Sequence, residues 1–238
     1  MTQGRGKRVL LLALCASLAL LFAGLGVWQV DRLHWKRDLI ARVDARLAAP
    51  STQLPTPAAW PTLAGPDGEY RKVRVTGSFD HSRETLVEAL TVRGPGFWVL
   101  TPLRTDQGTV LVNRGFVPPD RRLPATRAAG QVKGEQSLTG LVRPSEPEGR
   151  FLRTNRPNAE RWYSRDVEAI AERRGLGPVA PFFIDADAAP NPGGLPVGGL
   201  TVVAFRNNHL VYTLTWFALS ALSLFGLALT WKSSHKRE

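Results

Sequence analysis

Cysteine is nearly absent from this chain. The one cysteine, Cys15, lies inside an apolar run, so no disulfide can form within one chain, and a cysteine-based zinc or iron–sulfur site is excluded. Compartment must therefore be read from membrane topology. Hydrolase signatures are missing too: there is no G-x-S-x-G, no H-E-x-x-H and no phosphate-binding glycine loop. Acidic residues are outnumbered, with 20 Asp and Glu against 31 Lys and Arg, yet no basic helix or aromatic–basic repeat points to nucleic acid. With 22 glycines and 18 prolines, long helices are not expected outside the apolar runs.

Two such runs are present. Residues 9–27 are apolar except for Ser17, and Trp28 follows where an interfacial aromatic belongs. No polar, small-residue cleavage region comes after the run, which argues for an uncleaved span rather than a signal peptide. Cys15 sits in mid-run behind Leu14, against a lipoprotein reading. Residues 210–231 form a second run of 22 residues without a charge. About 20 apolar residues cross the hydrocarbon core, so a second transmembrane helix is expected to begin at or next to His209. Arg5, Lys7 and Arg8 precede the first run, and Lys232, Lys236 and Arg237, with Glu238, end the chain. Basic flanks hold both termini in the cytoplasm. The expected layout is a basic tail at 1–8, a span at 9–29, an outward-facing domain at 30–208, a span at 209–231 and a basic tail at 232–238. Moderate basicity between the spans suits lipid headgroups or an anionic ligand.

Ala16, Ala19, Ala23 and Gly26 place small side chains along one helical stripe, which lets transmembrane backbones approach closely. His209, Thr213, Trp216, Ser220 and Ser223 form a comparable stripe on the second run, with Tyr212 one position away. These stripes could pair with each other or with a helix of a partner. Beyond the first span, Leu33, Ile40, Val43 and Leu47 keep helical spacing until Pro50. The proline-rich segment to Gly68 reads as an extended connection. From Tyr70 to Phe79 the period becomes two. Residues 85–90 suit a returning strand, and residues 97–103 and 109–117 a hairpin turning through Thr105, Asp106, Gln107 and Gly108. Residues 137–142, 182–184 and 200–205 suit further strands. A short helix is expected over residues 166–174, capped by Ser164 or Asp166 and stopped by Gly175. Residues 190–199 read as a second Pro/Gly hinge. The fold class is thus a membrane protein in which two transmembrane helices flank a mainly antiparallel β domain, barrel or sandwich, with a few short helices.

The four histidines carry different expectations. His235 belongs to the basic tail, and His81 reads as a solvated turn residue at a strand end. His34 lies on the amphipathic segment, where exposure explains it. His209 is flanked by apolar sequence, and an ionisable group at membrane depth is expensive without a function; the alternative is a hydrogen-bonded structural residue. His34 and His209 would both stand near the outer boundary, where imidazoles could ligate a metal or haem iron. Arg32, Lys36 and Arg206 fall near the same boundary, either to pair a carboxylate ligand or to snorkel to headgroups. Asp185 and Asp187 have the spacing of a divalent-metal pair, with solvated acid as the plainer reading. Arg114, in Val112-Asn113-Arg114-Gly115-Phe116, could serve a ligand or backbone carbonyls.

Three blocks resemble the Surfeit locus protein 1 family. They are Leu25-Gly26-Val27-Trp28-Gln29 with Arg32 and Trp35-Lys36; Thr101-Pro102-Leu103 with Val112-Asn113-Arg114-Gly115-Phe116-Val117-Pro118; and Asn207-Asn208-His209-Leu210 with Tyr212 and Thr215-Trp216-Phe217. Phe116 stands where the family more usually has tryptophan. The resemblance implies a non-enzymatic assembly factor for haem–copper cytochrome c oxidase in the bacterial plasma membrane, its central domain periplasmic. It implies haem a as cofactor and associates His209 with haem a binding. On that basis His209 is expected as the axial ligand of the iron, Tyr212 and Trp216 on its stripe to pack the macrocycle, and Arg206 and Arg32 at the boundary to pair its propionates. It also implies as partners the catalytic subunit of the oxidase, haem a synthase and the lipid bilayer. A scaffold that grips oxidase subunits without touching haem is the alternative.

Overall fold

The computed structural model describes residues 2–150 and 152–235, with residues 2–5 and 233–235 described by backbone alone. Tail residues Lys236, Arg237 and Glu238, and the side chains of Arg5 and His235, lie outside the described residues. In chain order the elements are α1 (Thr2–Ala48), β1 (Thr52–Gln53), α2 (Trp60–Ala64), β2 (Lys72–Phe79), β3 (Thr85–Thr91), β4 (Gly94–Thr105), β5 (Gly108–Val117), β6 (Glu135–Pro144), β7 (Gly149–Arg150), β8 (Arg153–Thr154), α3 (Val167–Arg174), β9 (Val179–Ala186) and α4 (His209–His235). They form two units, Met1–Asp44 with Ala204–Glu238, and Ala45–Val203.

The first unit is an antiparallel pair made by α1 and α4. Stretches Gly6–Ala48 and His209–Lys232 are long and apolar enough to cross a membrane, with peak mean hydropathy of 2.5 and 1.7. Such a sequence is helical in lipid because only a helix satisfies each backbone group within one segment. The small-residue stripe of α1 meets the polar stripe of α4. Ala19 and Ser220 are both buried, and the Ser220 hydroxyl donates to the Ala19 carbonyl at 2.9 Å. Phe22 and Trp216 stack with ring centroids 5.6 Å apart. At Gly26 a Cβ would stand 2.6 Å from the Phe217 ring, so glycine is what admits that ring. Ser223 bonds back to Leu219 in its own helix.

The second unit is built on a seven-stranded sheet ordered β1-β2-β6-β9-β5-β4-β3, in which β2 also pairs with β4. That extra pairing, Ser78 with Arg104 and Phe79 with Leu103, closes β2, β6, β9, β5 and β4 into a ring. Of the barrel and sandwich expected, the barrel is formed. Pairing is mainly antiparallel, but β5 runs parallel to β9 and β1 parallel to β2. The expected hairpin is β4–β5, turning at Thr105 and Gly108. Val110 and Val112 of β5 and Phe182 and Ile184 of β9 face a cluster completed by Trp60 and Leu63 of α2. Leu111 and Phe183 face a second cluster completed by Val167 and Ile170 of α3. Both strands are covered on both faces, which is why they read as continuous apolar runs instead of alternating. The helix α3 starts where expected: the Asp166 side chain accepts from the Ala169 N–H, and Gly175 ends it in the left-handed region.

Four sequence expectations are corrected. The segment before Gly68 is not merely extended; it carries β1 and α2, and Trp60 anchors it by donating from Nε1 to the Pro55 carbonyl at 2.9 Å. Residues 200–205 form no strand. The open edges of the sheet belong to β1 and β3, while β9, the strand nearest in sequence, already has neighbours on both sides. Residues 190–199 are pinned instead of hinge-like: Phe116 and Val197 exchange two backbone hydrogen bonds of 2.9 Å, and Asn191 Nδ2 donates to the Pro196 carbonyl at 2.6 Å. His81 is half-buried, not solvated. Its Nε2 meets the Val132 carbonyl at 2.8 Å, and Arg114 donates to its Nδ1 at 3.4 Å. Burial holds its pKa below the ordinary histidine value, and the Arg114 charge acts in the same sense.

Candidate functional site

His209 is the first residue of α4, and its backbone is held from both sides. Its N–H donates to the Asn207 side chain at 3.4 Å, which satisfies one of the free donors of a helix start, and its carbonyl accepts from the Thr213 hydroxyl at 2.8 Å. The imidazole is half-buried. Its Nδ1 lies 2.7 Å from Oε1 of Gln29 on α1, a partner 180 residues away in sequence. No hydrogen bond to Nε2 occurs among the described residues. One imidazole nitrogen is therefore engaged by protein while the other retains its capacity to bind.

Gln29 is 8% exposed, and the sequence reading assigned it no role. A signal for it exists: Gln29 continues the Ala16, Ala19, Ala23, Gly26 stripe by three residues, so a buried amide at the helix–helix contact was implied. The other expected site residues are placed as follows. Tyr212 is half-exposed at 51%, and Trp28, next to Gln29, is 53% exposed. Trp216 is half-buried and lays one ring face on Phe22. The Arg32 guanidinium sits 4.4 Å over the Trp35 ring on the same helix. Lys36 Nζ stands 4.8 Å over Phe205. Arg206 is exposed and makes no hydrogen bond or ion pair among the described residues. His34 is exposed. Arg32, Tyr212, His209 and Gln29 thus belong to one unit, with Gln29 and Arg32 where the apolar run of α1 gives way to its charged continuation and His209 and Tyr212 in the first turn of α4.

Two other clusters offered chemistry, and both are structural. Asp185, only 2% exposed, accepts from Asn113 Nδ2 at 2.8 Å, from the Thr201 hydroxyl at 2.9 Å and from Arg165 Nη1 at 3.2 Å. Arg143 Nη1 lies 3.6 Å away. Asp187 is exposed and accepts from the Ala189 N–H at 2.9 Å. One carboxylate is saturated by the fold and the other caps a turn, so the pair does not converge on a metal. Among the described residues no group of three or more His, Cys, Asp or Glu does. Arg114 is 2% exposed and donates to the Gly130 carbonyl at 2.5 Å and to Asn191 Oδ1 at 3.1 Å. Burial pushes its pKa down to about 10, opposed by the charge of Glu84. Of its two readings, ligand or backbone carbonyls, the structure shows it serving the backbone.

Glu146 completes the charge cluster by pairing Arg165, with Oε1 accepting from Nη2 at 2.5 Å. Burial works to raise the Glu146 pKa, but the Arg165 hydrogen bonds and charge outweigh it and the net shift is downward. A carboxylate with a depressed folded pKa adds stability that is present above the unfolded value and lost as pH falls through the folded one. The melting temperature of wild type should therefore exceed that of Glu146→Gln at neutral pH, and the gap should close as the pH falls below about 4.3. Thermal melts of both proteins across that range check it.

Residues 16–221 match the model of the SURF1 family. The chain is 41% identical to Surfeit locus protein 1 of Homo sapiens over 221 residues, 85% of this chain and 71% of that protein. It is 41% identical to Surfeit locus protein 1 of Rattus norvegicus over 220 residues, covering 85% and 69%. A SURF1-like protein of Monosiga brevicollis is 43% identical over 215 residues, covering 84% and 80%. The family match takes in most of α1, about the first half of α4 and the whole β domain, including Gln29 and His209. With that extent of match, the chain belongs to the SURF1 family.

Proposed function

We propose that this protein is a non-catalytic membrane assembly factor for haem–copper cytochrome c oxidase, and that it holds haem a at the outer membrane boundary through His209. Family membership supports the assembly role. One observation supports the ligand: His209 Nδ1 is taken by Gln29 while Nε2 is unpartnered among the described residues. The residues present fit such a group. Haem supplies an iron that accepts an imidazole nitrogen and two propionates that accept guanidinium hydrogen bonds. Exposed Tyr212 and Trp28 offer aromatic surface to a macrocycle, and Trp216 supports that wall through its stack on Phe22. Arg32 and Arg206 are both exposed and free of carboxylate partners among the described residues, as propionate binders must be.

The basic residues flanking the two apolar runs support cytoplasmic termini and a periplasmic β domain at a bacterial plasma membrane. There the oxidase catalytic subunit is the recipient and haem a synthase the donor. The test is to purify the protein from cells making haem a and record haem yield and spectrum for wild type and His209→Ala. Wild type should carry haem, and the variant should lose most of it. Equal yield and an identical spectrum would remove His209 as a ligand. A haem-free wild type that still captures the oxidase catalytic subunit would establish the scaffold reading instead.

A further inference from the structure

The geometry points to Gln29 as the residue that sets which nitrogen of His209 faces the ligand. We infer that the Gln29 side-chain carbonyl accepts the Nδ1 proton and so holds the imidazole as the tautomer whose Nε2 lone pair is free. This rests on the reading of His209 as an iron ligand, but its first consequence can be measured without haem.

A neutral imidazole has one donor and one acceptor nitrogen, and the bond made by one decides the role of the other. The 2.7 Å separation between Gln29 Oε1 and His209 Nδ1 makes Nδ1 the donor. A ligand histidine needs this arrangement: one N–H held by an acceptor, which orients the ring and raises the basicity of the nitrogen that binds. Gln29 is well placed to impose it because neither partner is free to move away. Gln29 is 8% exposed, three residues beyond Gly26, where Phe217 packs. The Phe22–Trp216 stack and the Ser220 to Ala19 hydrogen bond fix the register of the two helices one and two turns further on. On the other side, Asn207 and Thr213 hold the His209 backbone at its N–H and carbonyl. A buried amide left without a partner is costly, so an amide at this contact is stabilised by using the imidazole. The opposite arrangement, with the amide NH2 donating to Nδ1, would put the proton on Nε2 and abolish ligation.

The test uses the full-length protein in detergent with 15N-labelled histidine and no haem. His209 resonances are identified by their absence in His209→Ala, and their 15N shifts report the tautomer. Wild type should show Nδ1–H. Gln29→Leu should shift the population towards Nε2–H, and Gln29→Glu, which can only accept, should restore Nδ1–H. With haem a added, Gln29→Leu should bind about 10–100-fold more weakly than wild type, and Gln29→Glu should recover most of that loss. An Nε2–H tautomer in wild type overturns the inference, whatever the variants do, which covers a Gln29→Leu protein that does not fold. So does a Gln29→Leu protein with unchanged tautomer and unchanged haem affinity. If wild type binds no haem while Gln29 still controls the tautomer, the iron-ligand reading fails and the positioning inference stands.

Discussion

Replacing Asp185 with alanine should lower the stability of the β domain by about 3 kcal/mol, because it strips a shared carboxylate from two largely buried guanidinium groups, leaving Arg165 with Glu146 and Arg143 with Glu69, and orphans the Asn113 and Thr201 donors. Asp185 is the shared partner of Arg165 and Arg143, whose side chains are 14% and 16% exposed. It also accepts from Asn113 of β5 and from Thr201, so one carboxylate joins β9, β5 and the segment that leads towards α4. Arg143 Nε makes no hydrogen bond among the described residues and stands 3.6 Å from Glu69 Oε1, so the variant would leave that guanidinium with Glu69 as its remaining counter-charge. Asp185→Asn should cost less, since it keeps an acceptor for Thr201 while losing the charge. Asp187→Ala is the control: an exposed turn carboxylate should change stability by no more than about 0.5 kcal/mol. Thermal unfolding of the purified proteins checks all three, with a drop of roughly 10 °C for Asp185→Ala. Equal melting temperatures for the two alanine variants would refute the assignment of Asp185 as the organising charge.

Gly115→Ala should be the second severe change. The glycine has φ of +127, a region that side chains avoid, and a Cβ there would lie 2.2 Å from the Val197 carbonyl oxygen. The obstacle is backbone, which cannot rotate aside as a side chain would. That carbonyl is one half of the two-bond exchange between Phe116 and Val197 that pins residues 190–199 to β5. Strain of about 1–3 kcal/mol combines with loss of those bonds, so destabilisation of about 3 kcal/mol or more is expected. Gly175→Ala separates the two causes: its φ is +59, but nothing lies within 4 Å of the added carbon. It should cost only about 1 kcal/mol. Denaturant unfolding of both variants reads the difference, and limited proteolysis of Gly115→Ala should show residues 190–199 cut first.

The candidate site was half legible. His209 drew attention because it stands where a polar segment meets an uncharged run of membrane length, a property of adjacent residues. Its partner was hidden by distance: nothing in a single sequence links positions 29 and 209, although the small-residue stripe ran straight to Gln29. The same division explains residues 200–205. Their composition suits a strand, but a strand needs an unpaired edge, and whether β9 offers one depends on what lies on both its sides. Asp185 looked like half of a metal pair because spacing was visible and burial was not.

What the sequence by itself determined is whatever local physics enforces. The two apolar helices follow from length and lack of charge, the β4–β5 hairpin from two β-rich runs and the turn between them, and α3 from an Asp166 cap and a Gly175 stop. Each is settled by residues within a few turns of one another. Only the tertiary structure decided that β2 closes on β4, that β5 runs parallel to β9, that Asp185 gathers Arg143, Arg165, Asn113 and Thr201, and that Gln29 holds His209. Those outcomes depend on contacts between distant residues, where burial and hydrogen-bond satisfaction choose among pairings that sequence pattern leaves equal.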